Sequence, residues 1–292
     1  MQSARAEPPY AGLRVLELAR VLAGPWIGQT LADLGAQVVK VESPEGDETR
    51  RWGPPFLTNA DGSAADAAYF HSCNRGKESL VLDFRRREDR ERVVQLAREA
   101  DVLIENFKVG GLGKYGLNYH SLAPLNPRLV YCSISGFGQS GRYADRPGYD
   151  FVAQAMSGLM DVTGEPGHPP QKVGVAVSDI ITGLYGLIGI QAALAERARS
   201  GRGQQVDVAL LDSTIAGSSF RAQAIGPAEI AAPHDAQHLF GGKIRALLRR
   251  VELRPVLAQL IAALLSRVDI VTGGIDRDPV RIANAGGEAG CR

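Results

Sequence analysis

The feature that most constrains this chain is a strand–helix–strand alternation that begins near its N-terminus. Leu13–Leu18 (LRVLEL) is apolar over strand length, Pro25 to Leu34 reads as a helix that stops at Gly35, and Gln37–Glu42 (QVVKVE) reads as a second strand. These form a βαβ unit, and right-handed crossover geometry makes its two strands parallel neighbours or near-neighbours. The alternation continues. Leu80–Phe84 reads as a strand, and Arg86 to Ala100 as an amphipathic helix with Val93, Val94, Leu96 and Ala97 as its apolar stripe. Val102–Phe107 (VLIENF) and Leu129–Ile134 (LVYCSI) follow as strands, the second after a turn at Asn126-Pro127. A long helix from Ile180 to about Arg199, an SGRGQ turn and the strand Val206–Leu210 come next. The pattern predicts an α/β fold with a mainly parallel, Rossmann-like sheet and flanking helices.

Between these elements, Asp47 to Ala65 reads as a long polar loop, and Gly136 to Val173 as a stretch rich in glycine and proline. Beyond about Ser218 the texture changes. Residues 219–244 show no clear period, Ile244 to Leu265 reads as a helix interrupted at Pro255, and residues 268–292 read as weakly structured.

Composition narrows the partners. The chain has 292 residues, enough for one large domain or two smaller ones. Its 33 Lys and Arg balance 32 Asp and Glu, so its overall charge gives no reason to expect nucleic acid or a membrane surface as partner. A phosphate-bearing ligand would need a local basic patch. Cys73, Cys132 and Cys291 share no short spacing, which points away from a disulfide framework or a zinc site and suits a reducing compartment. The N-terminus has no apolar stretch of signal-peptide length, and Ile180 to Leu194 reads as too short for a bilayer. The expected location is the cytoplasm.

Asp179 is the candidate of greatest chemical interest. It stands directly before the long helix, where an N-cap aspartate would accept backbone N–H groups and feel the positive end of the helix dipole. Both effects would hold it ionised, as a carboxylate nucleophile must be. Most aspartates in this position are only caps. Gly183, Gly186 and Gly189 would leave one helix face bare for a backbone or a ligand. Gly111-Leu112-Gly113-Lys114-Tyr115-Gly116 matches G-x-G-x-x-G after a strand, but a poor helix follows and the expected acidic partner is missing. The better reading is a loop in which Lys108 and Lys114 reach phosphates. His234 and His238 have the spacing of metal ligands on a helix, without an acidic third ligand, so no metal is expected. The run from Arg85 to Arg92 mixes both charges and reads as a solvated helix start.

Six separated segments carry a resemblance. They are LRVLELARVLAGPWIGQTLADLGAQVVKVESPEGDETR, NRGKESLVLDF, DVLIENFKVGGLGKYGL, NPRLVYCSISGFGQSG, RPGYDFVAQAMSGLM and SDIITGLYGLIGIQAALAERARSGRGQQVDVALLDS. In this order, over about residues 12–217, they resemble the class III CoA-transferase family, which includes formyl-CoA and carnitine CoA-transferases and, as a related branch, α-methylacyl-CoA racemases. The resemblance implies transfer of coenzyme A from an acyl-CoA to a free carboxylic acid, with Asp179 as covalent nucleophile. It implies CoA contacts at Leu22, Ala23, Leu82, Asp83, Phe84, Arg85, Asn106, Phe107, Lys108 and Lys114, with Arg85 and Lys114 facing the nucleotide phosphates. The CoA thioester would be a substrate, with no permanently bound cofactor. The racemases use a histidine in a G-H-D sequence, and Gly148-Tyr149-Asp150 stands there instead; a phenol is a poor base at neutral pH, which favours transfer over racemisation. Leu22 replaces the glutamine of formyl-CoA transferases, so a formate/oxalate pair is not supported.

The resemblance further implies two chains interlocked as rings, a homodimer. Residues 1–218 would form the large domain. Residues 219–292 depart from the pattern and are read as a truncated or frame-disrupted remnant of the second domain, leaving the interlocked topology incomplete. A catalytically inactive CoA-binding fragment is the alternative outside the enzyme class.

Overall fold

The computed structural model describes residues 7–165 and 167–224. The segments read as strands become parallel strands of one sheet. Its elements are β1 (Arg14–Glu17), α1 (Ala23–Asp33), β2 (Gln37–Glu42), β3 (Phe56–Thr58), β4 (Ala64–Ala67), α2 (Ala68–Ser72), β5 (Glu78–Val81) and α3 (Arg87–Glu99). They continue as β6 (Val102–Glu105), α4 (Tyr119–Leu122), β7 (Val130–Ser135), α5 (Asp150–Met156), α6 (Leu159–Thr163), α7 (Val177–Ser200), β8 (Gln205–Ala209) and α8 (Leu210–Ala224). Short 3-10 turns cover Glu48–Arg51 and Gly113–Tyr115.

The sheet order among the described residues is β5-β2-β1-β6-β7-β8, parallel throughout. Strands buried on both faces read as apolar runs rather than alternations, as β6 does, whereas the edge strand β5 is largely exposed and β8 alternates. Val15, Val102, Ile104, Val130, Cys132 and Ile134 pack with Ala23, Ile27 and Leu31 of α1 and with Ile190 and Ala193 of α7. Their strand neighbours Leu16, Leu103 and Tyr131 pack the other way, with Val93 and Ala97 of α3 and Leu122 of α4. The stripe expected on α3 is half right: Val93 and Ala97 are buried, while Val94 and Leu96 pack at the margin.

Several boundaries differ from the sequence reading. β5 begins two residues before Leu80 and ends three before Phe84, and β6 ends at Glu105, which frees Asn106 and Phe107 for a turn. The polar stretch Asp47 to Ala65 holds a 3-10 turn and the β3–β4 hairpin, and the stretch from Gly136 to Val173 holds α5 and α6. These short elements bury few side chains, Ala153 and Gln154 in α5 and none in α6, so no long apolar run marks them. α7 is 24 residues long, with a window of mean hydropathy 1.5, and by length and composition alone it could cross a membrane. The expectation that this stretch is too short is therefore corrected. Its glycine face, with Ile190 and Ala193, packs against α1 and the sheet.

α8 begins at Leu210, so the expected strand loses its last residue, and the helix runs on past Ser218. His234, His238, Cys291 and the helix expected over Ile244 to Leu265 lie outside the described residues. Cys73 and Cys132 are free, buried thiols.

Candidate active site

Chain direction across the sheet reverses between β1 and β6. From β1 the chain steps to β2 and β5 on one side, then returns to β6 and steps to β7 and β8 on the other. Ligands of open α/β sheets bind at such a switch point, outside the carboxyl ends of the strands. Here that crevice opens between the turn after β1, Arg20 to Ala23, and the turn after β6, Asn106 and Phe107.

The two turns are joined. Asn106 accepts the Arg20 N–H at 2.9 Å through Oδ1 and donates to the Arg20 carbonyl at 2.6 Å through Nδ2. The Arg20 guanidinium lies 5.5 Å from the Phe107 ring centre, and Phe84 bridges Phe107 (6.1 Å) and Tyr115 (5.9 Å). Lys114 Nζ sits 4.8 Å from the Tyr115 ring centre. Residues from three distant sequence segments, around Arg20, Phe84 and Asn106 to Tyr115, thus meet at one end of the sheet.

The expected CoA contacts divide by exposure. Leu22, Ala23 and Leu82 have buried side chains, so in this turn only the backbone of Leu22 and Ala23 is left to face a ligand. Asn106 is occupied with Arg20. Lys108, Lys114 and Arg85 are exposed, and Arg85 pairs with Asp83 at 2.8 Å, holding that carboxyl below its usual range. An exposed pair of this kind is weak and opens readily for a phosphate. The G-x-G-x-x-G stretch forms a 3-10 turn, and the next helix, α4, begins only at Tyr119, so it lacks the helix N-terminus of a dinucleotide fingerprint. The Arg85–Arg92 run starts α3, with Arg87 and Glu91 paired in solvent.

Beneath the β1 turn lies a buried charge cluster that sequence reading missed. Glu17 and Lys40 are register partners on β1 and β2, and Lys40 Nζ lies 3.1 Å from Glu17 Oε1 and 3.0 Å from Asp47 Oδ2. Lys77 Nζ adds contacts to both Glu17 oxygens at 3.0 and 2.8 Å and to Asn74 Oδ1 at 3.0 Å. Burial would strip the Lys40 proton, but Glu17 and Asp47 outweigh it and raise its pKa. Gly28 is required here. A Cβ at that position would lie 1.8 Å from Glu17 Oε2. The legible signal was a charge inside each of two apolar strands, Glu17 in LRVLEL and Lys40 in QVVKVE.

The same cluster holds a strained backbone. Val21 has φ 70°, the only non-glycine at positive φ among the described residues, a geometry costing on the order of 1–3 kcal/mol for a β-branched side chain.

Asp179 comes to this place from the far side. Gly183 of α7 abuts the Ala23 carbonyl and Trp26 of α1, and Gly186 abuts Ile27. Later positions meet later positions, so the helices run parallel. Asp179 lies one turn before Gly183 on the same face, about 6 Å along the axis, level with the β1 turn. The glycines therefore admit α1 and the sheet, with Gly189 against Val206, rather than a ligand.

Asp179 is not the N-cap. It is the third residue of α7, whose N-cap is Ala176 with no side-chain cap. The capping carboxylate is Asp150 at the start of α5: its Oδ1 accepts Ser178 N–H at 2.7 Å and Asp179 N–H at 3.3 Å. This reverses the electrostatic expectation. The helix end is spent on Asp150, and burial together with the Asp150 charge pushes the half-buried Asp179 carboxyl up to about 7. Tyr69 of α2, edge-on to Trp52 at 5.4 Å, is another neighbour missed in the sequence. Burial and then the charges of Asp179, Cys73, Asp150 and Asp47 raise its phenol, keeping it protonated. Among the described residues no three His, Cys, Asp or Glu group as metal ligands.

Residues 10–243 match CoA-transferase family III, and the chain belongs to that family. It is 61% identical over 207 residues to a succinate–glutarate CoA-transferase of Agrobacterium fabrum, covering 70% of this chain and 52% of that protein. It is 42% identical over 209 residues to the human succinyl-CoA:glutarate CoA-transferase, covering 71% and 46%. A crystal structure of a CaiB/BaiF family protein from Brucella suis superposes with TM-score 0.74 at 58% identity, covering 78% of this chain and 60% of that one. The chain spans about half the length of the curated relatives it matches.

Proposed function

We propose that this chain is the CoA-binding and acyl-exchange part of an acyl-CoA:carboxylate CoA-transferase, with Asp179 as nucleophile. One observation carries the reading: Asp179 stands on the first turn of α7, level with the strained turn at the sheet's switch point. The names of the relatives support small dicarboxylates, succinate and glutarate among them, as donor and acceptor acids.

In this reading an Asp179 oxygen attacks the thioester carbonyl, the C–S bond breaks, and CoA leaves as thiolate from a mixed acyl-aspartyl anhydride. The thiolate attacks the aspartyl carbonyl, giving an aspartyl-CoA thioester and releasing the donor acid. An acceptor carboxylate then takes these steps in reverse order, so the thioester is conserved and Asp179 is regenerated. Lys108, Lys114 and Arg85 would meet the phosphates, while the Phe84, Phe107 and Tyr115 rings border the pantetheine path. We place the protein in the cytoplasm, without nucleic acid or membrane as partner. We also propose a homodimer. The exposed Phe151 and Met156 of α5 and Leu184 and Ile188 of α7 support it as an apolar face suited to a second copy.

The test is intact-protein mass after incubation with succinyl-CoA and trapping with hydroxylamine. An aspartyl hydroxamate at position 179 that vanishes in Asp179→Ala is the expected result. CoA binding without any adduct across a panel of donors would instead select an inactive CoA-binding chain. Deuterium uptake at the α-carbon of a branched acyl-CoA would select racemisation, a reading that Tyr149, exposed at the G-H-D position, does not favour.

A further inference from the structure

Every backbone polar group from the Ala19 carbonyl to the Val21 carbonyl is held by a side chain. Lys40 Nζ donates to the Ala19 carbonyl at 2.8 Å, and Asn106 takes both Arg20 groups at 2.9 and 2.6 Å. Asp47 Oδ2 accepts the Val21 N–H at 3.3 Å, and the buried Cys73 thiol donates to the Val21 carbonyl at 3.7 Å. These holders come from β2, the turn after β6, the 3-10 segment and the end of α2. A left-handed valine persists only where its surroundings over-determine it, and such positions cluster at functional sites. A fold that needed only a turn here would place glycine at 21.

Asp47 is itself pinned. Its Oδ1 accepts the Thr49 N–H at 3.1 Å and hydroxyl at 2.8 Å, and its own N–H donates to Glu42 Oε2 at 2.8 Å. Lys40 has both carboxylates in its first contacts, and Lys77 neutralises the remaining charge of Glu17. Two buried ammonium groups and two buried carboxylates thus converge under three residues of backbone.

We propose that Asp47 and Lys40 are positioning residues for the CoA thioester, acting through Val21 to preset the β1 turn in its ligand-binding shape. The inference rests on the reading that this turn meets the acyl-CoA. Presetting lets binding proceed without paying to order a loop, so its loss appears as weaker binding rather than as an altered chemical step.

The experiment uses the full 292-residue chain and CoA itself as probe, with dissociation constants from calorimetry and melting temperatures measured alongside. Asp47→Asn keeps one acceptor for Thr49 but turns an NH2 toward the Val21 N–H and Lys40 Nζ, releasing the turn, and it is expected to bind CoA about 5- to 20-fold more weakly while also melting earlier. A purely structural role would move the melting temperature and not the affinity of the folded protein. CoA affinity within twofold of the parent chain for folded Asp47→Asn, or for Lys40→Met, which removes the donor to the Ala19 carbonyl, would overturn the proposal. If the parent chain itself fails to bind CoA, the underlying reading falls first, and the positioning role with it.

Discussion

The carboxylate of Asp150 caps the helix that carries Asp179, accepting Ser178 N–H at 2.7 Å and Asp179 N–H at 3.3 Å. One acid therefore sets both the start of α7 and the charge environment of the other. Asp150→Asn keeps an acceptor for the helix end but removes the repelling charge, so the Asp179 carboxyl should titrate lower, by about half a unit or more. The midpoint of the pH–rate profile for acyl exchange should move down with it. Asn places an N–H toward Gln154 Nε2, which now donates to Asp150 at 2.7 Å, so some stability is lost. An unmoved midpoint in the folded variant would refute the coupling.

As the proposed nucleophile Asp179 would act only when ionised, and its carboxyl is pushed up to about 7. Exchange should rise as pH climbs through about 7 and level off above it. Stability runs the other way. A folded pKa above the unfolded value contributes stability below about 4 that is lost as pH rises through 7. Single-turnover rates across this range, measured beside urea midpoints, would separate the two trends, and a rate independent of pH near 7 would contradict the assignment.

Glu105 gives a stability measurement free of the chemistry. It is buried at the end of β6, where burial first and Asp207 second push its carboxyl to about 7, against the opposing pull of the Phe107 N–H at 2.8 Å and Ser133. Its ionisation is thus unfavourable in the folded chain. Glu105→Gln retains an acceptor for Phe107 and cannot ionise. Relative to the parent, this variant should gain stability from about pH 5 to about pH 8, by up to roughly 3 kcal/mol. Urea midpoints at the two pH values decide it. A constant difference between the proteins would mean Glu105 does not titrate in this window.

The seam between α1 and α7 admits no added methyl. A Cβ on residue 186 would stand 2.5 Å from Ile27 Cδ1, inside a core with nowhere to move it. Gly186→Ala should cost about 1–3 kcal/mol by overpacking, despite alanine's better helix propensity. Gly174→Ala is the contrast, since a Cβ there meets nothing within 4 Å, and it should be near neutral. Chemical denaturation of both variants checks the pair; equal effects would mean that the contact is not limiting.

Local sequence determined the inner strands of the parallel sheet because both of their faces are buried, which writes a continuous apolar run such as VLI in β6. β2 was legible to the residue, and α1 from Pro25 onward for the same reason, closed by Gly35 at φ 97°. The short hairpin and α5 and α6 carry no such run and escaped notice. The sequence also singled out Asp179, but placed it at the cap, since a helix boundary is set by which carboxylate reaches the free N–H groups. Asp150, 29 residues earlier, decided that contact. The charges of Glu17, Lys40, Asp47 and Lys77 were visible as letters, yet nothing local told a buried cluster from solvated residues. Only strand register and the β1–β6 switch point brought them under Val21, because electrostatic partners in a fold are chosen by distance in space, not along the chain.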